Sequence, residues 1–186
     1  MEKSLERLFF KSFIEAITKE EIELNELFDR NSKEYQKLAP SGVSCLYETT
    51  YVYIAIKQLL KNKFPLLVSW EHSYTENNYS KVDMALLNAP NNINSFVEFK
   101  IWKSEDGHEI KSDIDKLKNE KSNISKYIVA IEYNSENIID NVKFLTEEMK
   151  LEVVEYARLL TSYYDWESKC NKIVPVNIYL AKIKST

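Results

Sequence analysis

Two short runs of alternating side chains, Lys81–Leu87 and Ser95–Trp102, stand either side of Asn88-Ala89-Pro90-Asn91-Asn92. Asn and Pro are turn formers, because proline pre-sets its own φ and asparagine tolerates left-handed backbone. Period-two alternation flanking such a turn predicts a β-hairpin. With the turn centred between Pro90 and Asn91, Asp83 falls opposite Glu98, Lys81 opposite Lys100, Val82 opposite Phe99 and Met84 opposite Val97. Apolar side chains then share one face, as a buried sheet requires. The other face gathers Lys81, Asp83, Glu98 and Lys100 with Ala85, Leu87, Phe96 and Trp102, so it is partly covered.

That second face carries chemistry. Directly opposed residues hold their Cβ atoms about 5 Å apart. Two carboxylates so placed repel unless a proton or cation lies between them. Hard divalent cations such as Mg²⁺ prefer carboxylate oxygens. Lys100 lies two residues beyond Glu98 and points to the same face, where an ammonium can orient water and meet developing negative charge. Glu48 is the only charged residue between Cys45 and Ile56. A buried lone carboxylate needs a partner, and a cation or a lysine would serve.

The rest of the chain supplies a frame. Residues 4–38 read as a helix with an apolar stripe through Leu5, Leu8, Phe9, Phe13, Ile17, Leu24, Leu27 and Phe28. Ala39-Pro40-Ser41-Gly42 breaks it. A largely buried helix is expected over 43–62, a strand over 66–72 and a polar loop over 73–79. After the hairpin and a break at 104–107 come a helix over 108–120 and a buried strand over 127–133. An amphipathic helix is expected over 145–164, through Met149, Val153, Tyr156, Ala157 and Leu160. A last strand over 173–183 contains Pro175, which predicts an edge strand or one that starts after it. The order implies an α/β fold, a mixed sheet flanked by helices. Residues 1–40 form a helical extension and 41–186 the main domain, and the extension's stripe can pack on that domain or join two copies as a homodimer.

Composition bounds the function. The 186 residues carry a formal net charge of −4, which weighs against a broad nucleic-acid-binding surface, since phosphate neutralisation supplies much of such affinity. Cys45 and Cys170 are far apart and belong to no CxxC pair, so neither a cysteine zinc site nor a disulfide framework is expected. No segment reaches the ~18 apolar residues of a membrane span, and the polar start lacks a signal-peptide core. A cytoplasmic protein is the expectation. His72 and His108 are the only histidines, too few for histidine-based catalysis, and no glycine-rich phosphate loop is present. Lys111, Asp113, Asp115 and Lys116 read as a solvated helix face, Glu71 as structural, and Tyr47, Tyr51 and Tyr53 as core.

A helix bearing Glu48, a strand, a hairpin bearing Asp83 and Glu98-Phe99-Lys100, then a helix and a strand: over residues 43–133 this resembles the PD-(D/E)xK nuclease superfamily. The resemblance implies a restriction-endonuclease-like αβββαβ core and Mg²⁺-dependent hydrolysis of phosphodiesters, with Mn²⁺ as a substitute ion. DNA is the implied substrate, with RNA as the other candidate. It implies metal binding by Asp83, Glu98 and the Phe99 carbonyl, a catalytic role for Lys100, and Glu48 as the helical acid that completes the site. Val82 stands where the motif's name has proline. The competing expectation is an inactive nuclease-fold binding module, or a subunit of a defence or repair complex.

Overall fold

A computed structural model describes residues 1–30, 41–74, 80–103, 107–120, 123–133, 138–165 and 167–184. The expected helix beyond Arg30, most of the 73–79 loop and most of the break at 104–107 lie outside them.

Helix α1 spans Lys3–Arg30. Its buried residues include Phe9, Phe13, Ala16, Ile17, Leu24 and Phe28, the spacing of one helical face. The opposite face carries charge pairs one turn apart, such as Lys19–Glu23 at 3.3 Å. A 3-10 turn at Val43–Cys45 follows, and α2 begins only at Glu48, running to Lys61. The expected helix over 43–62 is therefore shorter at its start. Tyr47 is extended there, at φ −93 and ψ 161, and the Tyr51 hydroxyl donates to the Val43 carbonyl at 2.7 Å, holding the turn apart from the helix. Nor is α2 buried all round. Tyr51, Val52, Ile54, Ala55 and Leu59 face inward, while Tyr47, Tyr53 and Leu60 are exposed.

The strands are β1 (Leu67–Ser73), β2 (Lys81–Ala89), β3 (Asn92–Trp102), β4 (Ser125–Tyr133), β5 (Leu151–Asp165) and β6 (Cys170–Ile183). Helix α3 covers His108–Asn119, and α4 (Ile138–Lys143) runs into a π-helical turn at Phe144–Glu148. Among the described residues these strands make one six-stranded sheet in the order β1-β2-β3-β4-β6-β5. The β3–β4 pair is parallel, with α3 as its crossover, and the remaining pairs are antiparallel. The chain is thus an α/β protein with a long N-terminal helix and a mixed sheet flanked by helices.

Each sheet face has its own core. Phe9, Phe13 and Ile17 of α1 and Tyr51 and Ala55 of α2 pack against Met84, Val97, Phe99, Val129 and Ile178. On the other face Ile110, Ile114 and Leu117 of α3, with Leu145 and Met149, cover Ala85, Phe96, Trp102, Ala130 and Tyr179. Val82 belongs to this second core, not to the Met84–Phe99 face expected for it. Of the stripe expected on α1, Phe9, Phe13, Ile17, Leu24 and Phe28 are buried within one copy, while Leu8 and Leu27 are exposed.

Two expectations near the C-terminus fail. Residues 145–164 are not one helix: only 138–148 is helical, and Leu151–Asp165 is strand β5. Val153, Val154, Tyr156, Thr161, Tyr163 and Tyr164 favour strands, and β6 offers a partner that pairs with it from Leu151–Ile183 to Asp165–Cys170. Nor is β6 an edge, since it lies between β4 and β5. Pro175 lies one residue outside the β4 ladder, whose last pair is Tyr133–Val176, and inside the β5 ladder, where it faces Leu160.

Candidate active site

The hairpin forms where its sequence predicts. The turn is Pro90-Asn91, with Asn91 at φ 66, and the ladder pairs Ala89 with Asn92, Ala85 with Phe96 and Met84 with Val97, with irregularities around Leu87. Beyond Met84–Val97, side chains take over from carbonyls. The Phe99 N–H donates to Asp83 Oδ2 at 2.8 Å, and the Asp83 N–H to Glu98 Oε2 at 3.4 Å. The Ile101 N–H, two residues on and on the same side of β3, donates to Glu48 Oε1 at 3.1 Å. Two carboxylates thus satisfy consecutive outward donors of β3 on its β2 side. On its other side β3 stays paired with β4 through Trp102–Glu132.

Lys100 lies between those two contacts. Its ammonium is 3.1 Å from Glu48 Oε2 and 3.1 Å from Asp113 Oδ2. Asp113, on the inner side of α3 and buried, also accepts from Lys116 Nζ at 2.5 Å. Glu98 is buried, and its Oε1 accepts from the Tyr74 hydroxyl at 2.5 Å. The Tyr74 ring is packed edge-on against Phe96, centroids 5.5 Å apart, so the phenol is aimed by packing. Lys81 does not join this group: its ammonium reaches Glu71 on β1 at 3.1 Å.

Electrostatics follow from this geometry. Burial, and then the neighbouring Asp83 charge, push the Glu98 carboxyl up to about 8. Burial also raises Asp83, against the pull of the Phe99 N–H and other partners. Near neutral pH the pair therefore retains a proton where a cation could sit. Burial by itself lowers the Lys100 ammonium, but its bonds to Glu48 and Asp113 outweigh that and hold it above the ordinary lysine value. Lys100 stands as a cation. Burial, and then its bond to Glu98, raise Tyr74, which keeps that phenol a donor.

Asp83 and Glu98 meet across the hairpin, Lys100 follows Glu98 on β3 but is held by Glu48 and Asp113, and Glu48 reaches the group through Lys100 and Ile101 rather than through the acid pair. Of the four residues expected on a solvated face, Lys111, Asp115 and Lys116 are exposed and Asp113 is buried, where its carboxylate meets Lys100 and Lys116. The heptad-like inward positions Ile110, Ile114 and Leu117 place Asp113 beside them, a signal the sequence contains. Tyr74 had no such signal, because its role depends on a chain reversal before β2.

A divalent ion suits this donor set. Among the described residues no three Asp, Glu, His or Cys side chains converge on one point. The protein's share of a cation shell would be the Asp83–Glu98 pair and the Phe99 carbonyl, which in an extended strand opens to the same side as its own N–H. Mg²⁺ takes one or two carboxylates and keeps several waters. Among the described residues no helix is long and apolar enough to cross a membrane. No family model, curated protein or solved structure matches the chain.

Proposed function

We propose that the chain is a metal-dependent nuclease of the restriction-endonuclease-like kind, acting on DNA. The order α2-β1-β2-β3-α3-β4, with one parallel pair closing it, supports the reading, since the PD-(D/E)xK resemblance implies an αβββαβ core. The observation that carries the reading is the meeting of Asp83 and Glu98 where β2 and β3 exchange side-chain for main-chain bonds, with Lys100 two residues on along β3 and held by Glu48 and Asp113. Asp83, Glu98 and the Phe99 carbonyl would hold Mg²⁺ or Mn²⁺, and the chemistry such an ion would supply is polarisation of a phosphate and a more acidic water.

The chain's own residues do the rest. Lys100, already cationic, donates to a water or a phosphate oxygen and meets charge that develops in the transition state. It does not accept a proton while Glu48 and Asp113 hold it charged. Glu48 and Asp113 aim it, and Lys116, half-exposed at the rim, can meet a neighbouring phosphate. Tyr74 fixes one oxygen of Glu98 and leaves the other toward Asp83.

The experiment is cleavage of supercoiled plasmid and of single-stranded DNA with Mg²⁺ and with Mn²⁺, beside Lys100→Ala and Asp83→Ala. Cleavage by the wild type, lowered at least ~100-fold in both folded variants, is the expected result. A wild type that cuts no DNA or RNA with either ion sinks the reading. It would favour the second one, an inactive nuclease-fold binding module or a subunit of a larger complex, which the double clamp on Lys100 and the net charge of −4 support.

A further inference from the structure

Single exposed apolar side chains are ordinary on a protein surface, whereas contiguous ones mark contact sites. Tyr53 on α2 and Trp70 on β1 are 49% and 47% exposed, and they lie side by side, ring centroids 6.3 Å apart and planes tilted by 43°. The Lys57 ammonium, one helical turn beyond Tyr53, sits 5.6 Å from the centre of the Tyr53 ring. The group therefore brings two exposed rings and one cation together, the ammonium lying over one face of the Tyr53 ring.

Its position matters as much as its chemistry. Tyr53 is five residues along the helix from Glu48, about 7.5 Å in axial rise and about 140° round the helix axis. Trp70 pairs with Met84, the residue next to Asp83. The aromatic pair thus lies on the α2 face of the sheet near the edge that β1 forms, the face opposite the one that carries Glu98 and Lys100, and Glu48 at the start of α2 is the residue that links the two. Asp113 and Lys116 flank the site from the α3 side.

We propose that Tyr53, Trp70 and Lys57 form a ledge that takes an unstacked base, and the phosphate beside it, of a single-stranded nucleic acid leading into the Glu48 side of the site. The proposal deepens the nuclease reading by naming its substrate class, and rests on that reading for the direction of the strand. A duplex hides the faces of its bases inside the stack, so a π-ledge is useful only to bases that are unstacked. Base–aromatic stacking tolerates any sequence, because every base has a π-face. It also supplies affinity that does not depend on phosphate neutralisation, which an acidic chain with a net charge of −4 is poorly made to provide. Lys57 adds a cation beside the rings, where a strand's phosphate follows its base.

The test is fluorescence anisotropy without divalent cation, so that nothing is cut. The probes are a labelled oligothymidylate of about 16 nucleotides and a labelled duplex of the same length. The expected result is tighter binding of the single strand than of the duplex by the wild type. Trp70→Ala and Tyr53→Ala should weaken single-strand binding by about 5- to 100-fold and leave duplex binding within about twofold. Trp70→Phe should restore most of it. Lys57→Ala, a change to a better helix former on an exposed position, keeps the test valid if an aromatic variant misfolds, and should weaken single-strand binding several-fold.

Equal binding of the two probes, or wild-type affinity in Trp70→Ala and Tyr53→Ala, overturns the proposal. So does the absence of binding to either probe, which would reassign the ledge to a protein partner. The two readings fail separately. Metal-dependent cleavage that Lys100→Ala abolishes, with unaltered strand binding by Trp70→Ala, sinks the ledge and leaves the nuclease. Strand binding lost in Trp70→Ala, with no cleavage under any cation, does the reverse.

Discussion

Glu98 is the residue on which the site turns, because its carboxyl is raised rather than depressed. Its ordinary value is 4.5 and burial beside Asp83 takes it to about 8. The sign of the consequence is opposite to that of a salt-bridged acid. Between those values the folded chain binds a proton that the unfolded chain has released, so the group's contribution is complete below about pH 4.5 and is lost as pH rises through about 8. The urea midpoint of the metal-free protein should therefore fall across that window, and Glu98→Gln should flatten the fall. An ion entering the pair must displace the same proton. Mg²⁺ affinity, read by calorimetry, should climb by roughly tenfold per pH unit below about pH 8 and level off above it. A Mg²⁺ affinity that ignores pH, or a Glu98→Gln protein with the wild-type slope, would remove the shared proton from the account. Lys100 does not blur this window, since its partners hold it charged throughout.

At the scale of elements, the hairpin could be read from its sequence because three local signals agree: alternation in each strand, turn residues between, and apolar residues on matching faces. Its register holds at Met84–Val97. The step past that pair could not be read, because there Asp83 and Glu48 replace main-chain acceptors, and Glu48 arrives from another helix. Asp113 reads as a wet-face residue in the sequence for a similar reason. A charge beside an inward stripe looks solvated until the lysine of another strand is brought to it. Strand β5 failed on period. Met149, Val153, Tyr156, Ala157 and Leu160 match a helical spacing, while Tyr156, Arg158 and Leu160 also alternate along one exposed side of a strand, and β6 decided between them. The junction that seats α1 on β5 gives a test at this scale. The Glu21 carboxylate accepts from the Val43 N–H, the Thr161 hydroxyl and the Ser162 N–H at 2.8, 2.6 and 2.8 Å. Gly42 sits against that knot. A Cβ there would lie 2.5 Å from Thr161 Oγ1, 2.6 Å from the Ser162 carbonyl and 2.7 Å from Glu21 Oε2. Its φ of −177 suits any residue, so only space is at issue. Gly42→Ala should lower the unfolding free energy by about 2 kcal/mol, and a wild-type urea midpoint in that variant would mean the knot gives way freely.

Across the whole molecule, α1 decides how site and fold are joined. As an extension it could be removed and leave a folded remainder; as a layer of the core it could not. The packing argues for the layer. Phe9, Phe13 and Ile17 are fully buried, and Phe13 meets Phe99 edge-on at 5.3 Å and Tyr51 at 6.4 Å between ring centroids. Phe99 is the residue whose N–H holds Asp83, and Tyr51 holds the turn before the helix that carries Glu48. One side chain of α1 therefore braces the backbone behind both acids. Glu6 adds a polar tie at the other end, accepting from the Tyr127 hydroxyl at 2.6 Å inside the fold. Phe13→Ala should lower stability by about 3–5 kcal/mol, the range for a buried ring replaced by a cavity, with little change in the denaturant slope if unfolding stays cooperative. In the variants that remain folded, Mg²⁺ affinity should drop as well, because Asp83 and Glu48 lose the wall behind them. Deleting residues 1–30 should leave a chain without the cooperative urea transition of the whole protein. A truncated protein that unfolds cooperatively near the wild-type midpoint would return α1 to the status of an appendage, and its stripe to the question of a homodimer.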